Sequence, residues 1–461
     1  MKERLKEKTS TQPNSPLLNP VVSAQNDTSH TFFRADSFWK KIPAYKNVDE
    51  SEFFDHLFQT KHSITNQKGM IEFLDQVADP AFVRDVKSGL LSAPMNMRVS
   101  PYLLSLINWD APYDDPIRTQ FIPVNSTREI DHPQLQLDSL HEQIDSPVPG
   151  LVHRYNDKAL FLPLDVCPVY CRFCTRSYAI GNDTDSVKKV NFGSNVKKWK
   201  VVFEYLATHP EIEDVVVSGG DAYLLAPQLL KLIGDSLLDI PSIRRIRFAS
   251  KGPAVMPMKI LTDHKWTDTL TDIVTKGRHL NKEVCLHTHF NSVNEITNIT
   301  KQAMDILFQR GIKVRNQSVL IRGVNDSPEK MIALVKKLSY MNIQPYYVYQ
   351  HDMVKGVEEL RTSVQETLEI EKQVRGSTAG FNTPTFVVDA PGGGGKRCAH
   401  SFEHYNKQTG ISVYKSPSVN KEKTYLYFDP ISSLSDTYKE LWKQPSTQQD
   451  MIDMALKNVP S

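Results

Sequence analysis

Ala159-Leu-Phe-Leu-Pro-Leu-Asp-Val-Cys167-Pro-Val-Tyr-Cys171-Arg-Phe-Cys174 joins an apolar run of strand type to three cysteines within eight residues. Read outward from there, the pattern repeats. Short apolar runs at 159–166, 214–217, 244–249, 283–290, 313–321 and 344–349 are separated by amphipathic stretches of helix length. Strands alternating with helices predict parallel βαβ units, because parallel neighbours need a crossover. Such units place their functional residues at the carboxyl ends of the strands. Polar residues follow each run: Cys167, Ser218-Gly219-Gly220-Asp221, Ser250-Lys251, His289, Arg322-Gly323 and Asp352. The expected fold is therefore α/β, a partial (β/α)6 barrel.

The flanks divide the chain further. Residues 1–35 are rich in Ser, Thr, Asn and Pro without apolar periodicity and read as a disordered tail. Residues 36–149 carry helical spacing, as in Met70-Ile71-Glu72-Phe73-Leu74, with a proline-rich connector at 110–123. The barrel core is expected over 150–375. A carboxyl-terminal extension over 376–461 opens with the strand-like Thr385-Phe386-Val387-Val388, followed by Asp389-Ala390-Pro391, four glycines and Lys396. Its last 60 or so residues are polar and tyrosine-containing and offer no chemical motif.

Composition narrows the function. With 40% hydrophobic and 23% charged residues, most of the 461-residue chain has enough apolar side chains to bury a core. Lys plus Arg (55) balance Asp plus Glu (53) and no basic block is interleaved with aromatics, which argues against a nucleic-acid partner and for a small-molecule substrate. No apolar run approaches the ~18 residues of a membrane span, and MKERLKEKTS at the amino terminus lacks a secretory apolar core. Glu3 and Glu7 there favour the cytosol over a transit peptide and leave the mitochondrion open. Five cysteines, three of them crowded, suit a reducing compartment and a metal better than a disulfide framework.

Cys167, Cys171 and Cys174 can ligate three corners of an iron-sulfur cube from one loop, leaving the fourth iron open to chelate a cofactor or substrate. A structural zinc would call for a fourth ligand, and core cysteines are the plainer alternative. The spacing, with an aromatic (Phe173) before the third cysteine, resembles the radical S-adenosylmethionine superfamily. That likeness implies a 4Fe-4S cluster, S-adenosylmethionine, a barrel of the radical SAM type, and a reducing electron donor. Ser218-Gly219-Gly220-Asp221 resembles the superfamily's glycine-rich edge, which holds the amino group of the methionine moiety.

The run Asp389-Ala-Pro-Gly-Gly-Gly-Gly-Lys396 is no P-loop, since that motif requires Gly at Ala390 and Ser or Thr at Arg397. A lysine on a flexible glycine run can instead reach a carbonyl and form an imine, the usual attachment of pyridoxal phosphate, although a solvated surface lysine is the bland reading. The segment 384–396 resembles the pyridoxal-binding segment of the lysine 2,3-aminomutases. The resemblance runs back to about Arg98 through DSPVPG at 145–150, HRY at 153–155, NQSVL at 316–320 and PYYVYQ at 345–350.

Position by position, this resemblance implies that Lys396 holds pyridoxal 5′-phosphate and that Arg176 binds the substrate carboxylate, a task suited to a bidentate guanidinium. Asp352 and Asp389 match two aspartates that embrace the side-chain ammonium of lysine, although either alone could be a helix or turn cap. His289 and Gln317 resemble residues near S-adenosylmethionine, and Arg154 and Lys158 sit where cations support the pyridoxal phosphate group. The implied reaction interconverts L-lysine and β-lysine. Its rivals are the same rearrangement of arginine or another cationic amino acid, and a catalytically silent cluster protein reporting iron or redox state.

Two departures from the family stand out. Ser327 replaces a zinc-ligating cysteine and no cysteine follows Cys398, so the family's intersubunit zinc is not expected and the arrangement of a homo-oligomer is left open. Lys251-Gly252 replaces an arginine-threonine pair, which bears on local cofactor contacts.

Overall fold

The structure is a computed structural model that describes residues 29–192 and 195–459. Its largest sheet comprises β1 (Leu151–Tyr155), β2 (Lys158–Phe161), β3 (Asp214–Val217), β4 (Arg245–Ala249), β5 (Glu283–Thr288), β6 (Lys313–Val319), β7 (Ile343–Tyr349), β8 (Thr385–Ala390) and β9 (Gly395–Cys398). They lie side by side in chain order. Strands β2 to β8 run parallel, each from β3 onward reached through a helix; β1 and β9 pair antiparallel at the two edges. The helices Val196–Thr208, Pro227–Asp239, His264–His279, Asn298–Gln309, Pro328–Tyr340 and Val364–Val374 bury their apolar stripes against the sheet. This is the partial barrel expected of the radical SAM type, with one parallel strand more than the six anticipated. The strand-like run at Thr385 continues the barrel because β8 pairs with β7 at Tyr347↔Thr385.

The edges β1 and β9 do not share a ladder, but one side chain joins them. The phenol oxygen of Tyr155 accepts the backbone N–H of Lys396 at 2.7 Å. A Cβ on Gly395, whose φ is +71, would lie 2.4 Å from that oxygen, so only glycine allows this approach. The glycine run is correspondingly not a flexible tether. It is the turn of a β8–β9 hairpin in which Asp389 stands directly opposite Lys396.

Ahead of the barrel, short helices pack an aromatic core in which Trp39 stacks on Phe53 at 4.9 Å. The expected connector at 110–123 holds a helix, Pro116–Phe121. Its proline is the first residue of the helix, where no N–H is needed, and Asp115 caps the next amides. Most of the expected tail, residues 1–28, lies outside the described residues. Its last part is fixed rather than disordered: Arg34 bridges to Thr297, and Lys337 Nζ donates to the Phe32 carbonyl at 2.6 Å.

The polar carboxyl-terminal stretch also folds. Strands β10 (His404–Asn406), β11 (Ile411–Ser416) and β12 (Asn420–Phe428) form a second, antiparallel sheet, followed by helices Asp436–Trp442 and Pro445–Lys457. Tyr427 from β12 reaches the barrel, donating to the His351 carbonyl at 2.8 Å and accepting from Gln350 at 2.8 Å. Among the described residues, no helix is long and apolar enough to cross a membrane.

Candidate active site

The barrel encloses a cavity of about 480 Å³, lined by every residue expected to bind a cofactor, metal or substrate; of the strand-end residues, Arg322 and Gly323 lie outside it, with Arg322 turned to Glu129 and Ser432. The cavity wall continues from the loop after β2, which carries the three cysteines, to the β8–β9 hairpin, which carries Lys396.

The cysteine loop is pinned by the glycines after β3. Gly220 N–H donates to the Leu164 carbonyl at 2.6 Å and Asp221 N–H to the Val166 carbonyl at 2.9 Å. A Cβ on Gly219 or Gly220 would meet those carbonyl oxygens at 2.2 and 2.1 Å. This glycine-rich edge therefore holds the segment after β2 that delivers the cysteines. Asp221 also organises backbone, accepting from the amides of Tyr223 (2.8 Å) and Lys251 (2.7 Å). Burial lifts its carboxyl to about 6.

Burial likewise pushes up all three thiols, that of Cys171 to about 12, so ionising them together calls for a strong local positive charge. Among the described residues no three His, Cys, Asp or Glu side chains converge on one ion. The three thiols line the same cavity, a placement that would let each bind a different iron of a 4Fe-4S cluster. Phe173, before the third cysteine, stacks on His289 with 5.8 Å between rings. Burial holds His289 well below the ordinary imidazole range, with Lys251 adding to the effect, so the ring is neutral.

Lys251, at the position that departs from the family, is buried and fully engaged. It donates to the His289 carbonyl at 2.8 Å and lies 3.2 Å from Glu295. Its partners are protein groups beside the cavity.

At the other end, Lys396 Nζ lies 3.0 Å from Asp389 Oδ2. Burial disfavours its charge, yet Asp389, with Tyr349 and Tyr155, holds the ammonium well above its usual range. Asp352 Oδ2 accepts from the Thr175 hydroxyl. Burial and the nearby Asp389 push the Asp352 carboxyl up to about 7. Neither aspartate caps a helix. The Oδ1 atoms of both are buried without a hydrogen-bond partner, a costly state that a second ammonium would relieve. The ammonium of Lys396 already shows that this pocket accepts one.

Arg154 is held by Asp145 at 2.6 Å. Lys158 pairs with Asp157 at 2.9 Å and lies over the Tyr155 ring at 4.4 Å. The two cations sit beside the Lys396 hairpin, an arrangement that fits a phosphate-bearing cofactor attached to that lysine. Gln317 accepts from Tyr349 at 2.8 Å and contacts His287 Nδ1 at 3.0 Å. Arg176 is not free: its Nη2 lies 2.7 Å from Glu142.

Sequence reading missed Glu142, which no spacing links to the cysteine loop. It also missed the inward tyrosines of β7. Register shifts between Asn316↔Pro345 and Gln317↔Tyr347, so the extra residue turns Tyr346 as well as Tyr347 and Tyr349 toward the cavity.

Comparison with known proteins gives a consistent result. The family profile described as lysine-2,3-aminomutase matches residues 370–401. The chain is 38% identical over 360 residues to an L-lysine 2,3-aminomutase of Clostridium subterminale, covering 77% of this chain and 80% of that protein. It is 36% identical over 365 residues to one of Bacillus subtilis (strain 168), covering 79% and 73%. A glutamate 2,3-aminomutase of Clostridioides difficile (strain 630) is 31% identical over 360 residues, covering 77% and 79%.

Proposed function

The chain belongs to the lysine 2,3-aminomutase family, and from that premise we propose how its residues act on L-lysine. It is an isomerase that moves an amino group within an amino acid, interconverting L-lysine and β-lysine, and its cofactors are a 4Fe-4S cluster, S-adenosylmethionine and pyridoxal 5′-phosphate. When bound, the cluster and S-adenosylmethionine supply a hydrogen-abstracting radical, and pyridoxal phosphate supplies the conjugated system that carries the migrating nitrogen.

The remaining work falls to side chains. Cys167, Cys171 and Cys174 hold three irons. Ser218, Gly219, Gly220 and Asp221, with Phe173, His289 and Gln317, shape the wall for S-adenosylmethionine. Lys396 would hold pyridoxal phosphate, and Asp389 Oδ2, 3.0 Å from Nζ, is placed to take the proton this amine must lose before it reacts with a carbonyl and to pass it to the water that the condensation expels, which leaves Asp389 an anion again. Arg154 and Lys158 hold the phosphate. Arg176 takes the substrate carboxylate. Once Lys396 is committed to the cofactor, Asp389 is released, and with Asp352 it receives the side-chain ammonium of the substrate.

The observation that carries the choice of lysine is the pair of buried, unpartnered Oδ1 atoms on Asp352 and Asp389. Two anions around one site select a cationic side chain and reject glutamate by repulsion. The proposal extends to a reducing electron donor, to a cytosolic setting and to an assembly of identical chains. Anaerobic reconstitution followed by mass analysis with lysine, arginine, ornithine and glutamate tests the reading. Conversion of lysine to an isomer of equal mass and distinct retention is expected. Preferential conversion of arginine or glutamate would overturn the substrate, and cleavage of no S-adenosylmethionine would favour the silent cluster protein.

A further inference from the structure

The segment 136–145 runs between the helical region and β1, and it touches the site at several points. Gln136 bridges to Val354, just past Asp352. The Ser139 carbonyl accepts from Gly392 in the Lys396 hairpin at 2.9 Å. The Leu140 carbonyl and Asp145 hold Arg154. Between them stands Glu142, 4% exposed, whose own amide is tied to Asp138 at 3.0 Å. One Glu142 oxygen accepts from Arg176 Nη2 at 2.7 Å and the other from the Tyr178 hydroxyl at 3.1 Å.

Each oxygen of Glu142 thus accepts one hydrogen bond; Arg154 feels its charge as well, but is itself held by Asp145, so Arg176 is the cation that Glu142 bonds directly. Arg176 in turn has no second partner among the described residues. Its Nη2 is fixed by Glu142, while Nε is buried and unpaired and Nη1 makes no hydrogen bond. A flexible arginine pinned at one nitrogen loses little further freedom when a ligand takes its terminal edge, so less affinity is spent on ordering it.

We propose that Glu142 is a positioning residue for the substrate α-carboxylate: it fixes the Arg176 guanidinium through one N–H of Nη2 so that the terminal edge, Nη1 with the other N–H of Nη2, is left for that carboxylate. The inference rests on the aminomutase reading only in assigning Arg176 to the carboxylate. Every amino-acid substrate carries that group, so the test uses whichever amino acid the parent enzyme turns over. Failure of the lysine assignment therefore leaves the test intact, and failure of the test leaves lysine untouched.

The test is made on the holoenzyme with Glu142→Gln and Tyr178→Phe. Removing one charged hydrogen bond to the guanidinium is expected to raise KM by about ten-fold or more, with kcat within about two-fold. Iron content and the absorbance of bound pyridoxal phosphate should match the parent. Tyr178→Phe, which removes the second anchor of Glu142, should raise KM in the same direction by less. Equilibrium binding of labelled amino acid adds a readout that a general structural role would not reproduce. In an Arg176→Ala background, Glu142→Gln should cause no further loss of affinity, because the effect passes through Arg176. An unchanged KM in both variants overturns the proposal. So does an equal loss of affinity with and without Arg176, or a KM change seen only with loss of iron or pyridoxal phosphate.

Discussion

Asp352→Asn should stabilise the cofactor-free protein while removing its activity on lysine, and the two effects have one cause. The Asp352 carboxyl is raised by burial and by Asp389 from 3.8 to about 7. In the unfolded chain it ionises near the ordinary value. Between pH 4 and 7 the folded state therefore binds a proton that the unfolded state does not, so each rise in pH across that window weakens the fold. Burying one uncompensated carboxylate costs on the order of 1–4 kcal/mol once its surroundings relax, and the variant should gain a stability in that range. Asparagine carries no charge, keeps the shape and still accepts from Thr175. Its advantage over the parent should be absent near pH 4, grow toward pH 7 and level off above.

The assay is the difference in melting temperature between variant and parent, both cofactor-free, measured from pH 4 to 8.5. On the same preparations, lysine turnover in reconstituted enzyme should fall by about two to four orders of magnitude, the consequence of losing ~3–5 kcal/mol from a broken buried ion pair. A melting difference that is flat with pH, or variant turnover near the parent's, would refute the reasoning. In either case Asp352 would not be the costly buried anion that the substrate ammonium relieves.

Other outcomes follow from the same geometry. Replacing any one of Cys167, Cys171 or Cys174 with Ala should abolish the brown absorbance and the cleavage of S-adenosylmethionine; a full cluster after any single change would contradict the assignment. Lys396→Ala should remove the absorbance of bound pyridoxal phosphate and its trapping by borohydride while leaving iron content unchanged; borohydride labelling of another lysine would show the assignment to be wrong. Gly395→Ala places a Cβ 2.4 Å from the Tyr155 phenol at a φ of +71, so it should displace the hairpin and lower pyridoxal phosphate content with little effect on iron. Equal loss of both would indicate general unfolding.

Much of the barrel was legible because its strands are buried runs separated by amphipathic helices, and parallel pairing in chain order then follows. Residues 145–150 and 153–155 carry recognisable motifs, but β1 is not legible as a strand, since an antiparallel edge strand of five residues leaves little periodic signal. The hairpin was misread as a tether for a physical reason. Consecutive glycines suggest freedom, whereas here the turn is fixed by the Asp389–Lys396 pairing and by the Tyr155 phenol across the open seam. Arg176 and the two aspartates were found through resemblance. Their actual neighbours, Glu142 and Thr175, were not, because a contact between Arg176 and a residue 34 positions earlier is a product of tertiary folding.

The most direct test of the central claim is the fate of the amino nitrogen. The reconstituted enzyme is supplied with lysine carrying 15N at the α-amino group and 13C at C3, mixed with unlabelled lysine, and the product is read by NMR and mass spectrometry. The account predicts β-lysine in which 15N is bonded to 13C3, with both labels retained in the same molecule. Label remaining on C2 throughout, or 15N exchanged between labelled and unlabelled molecules, would contradict an intramolecular 2,3-migration on lysine.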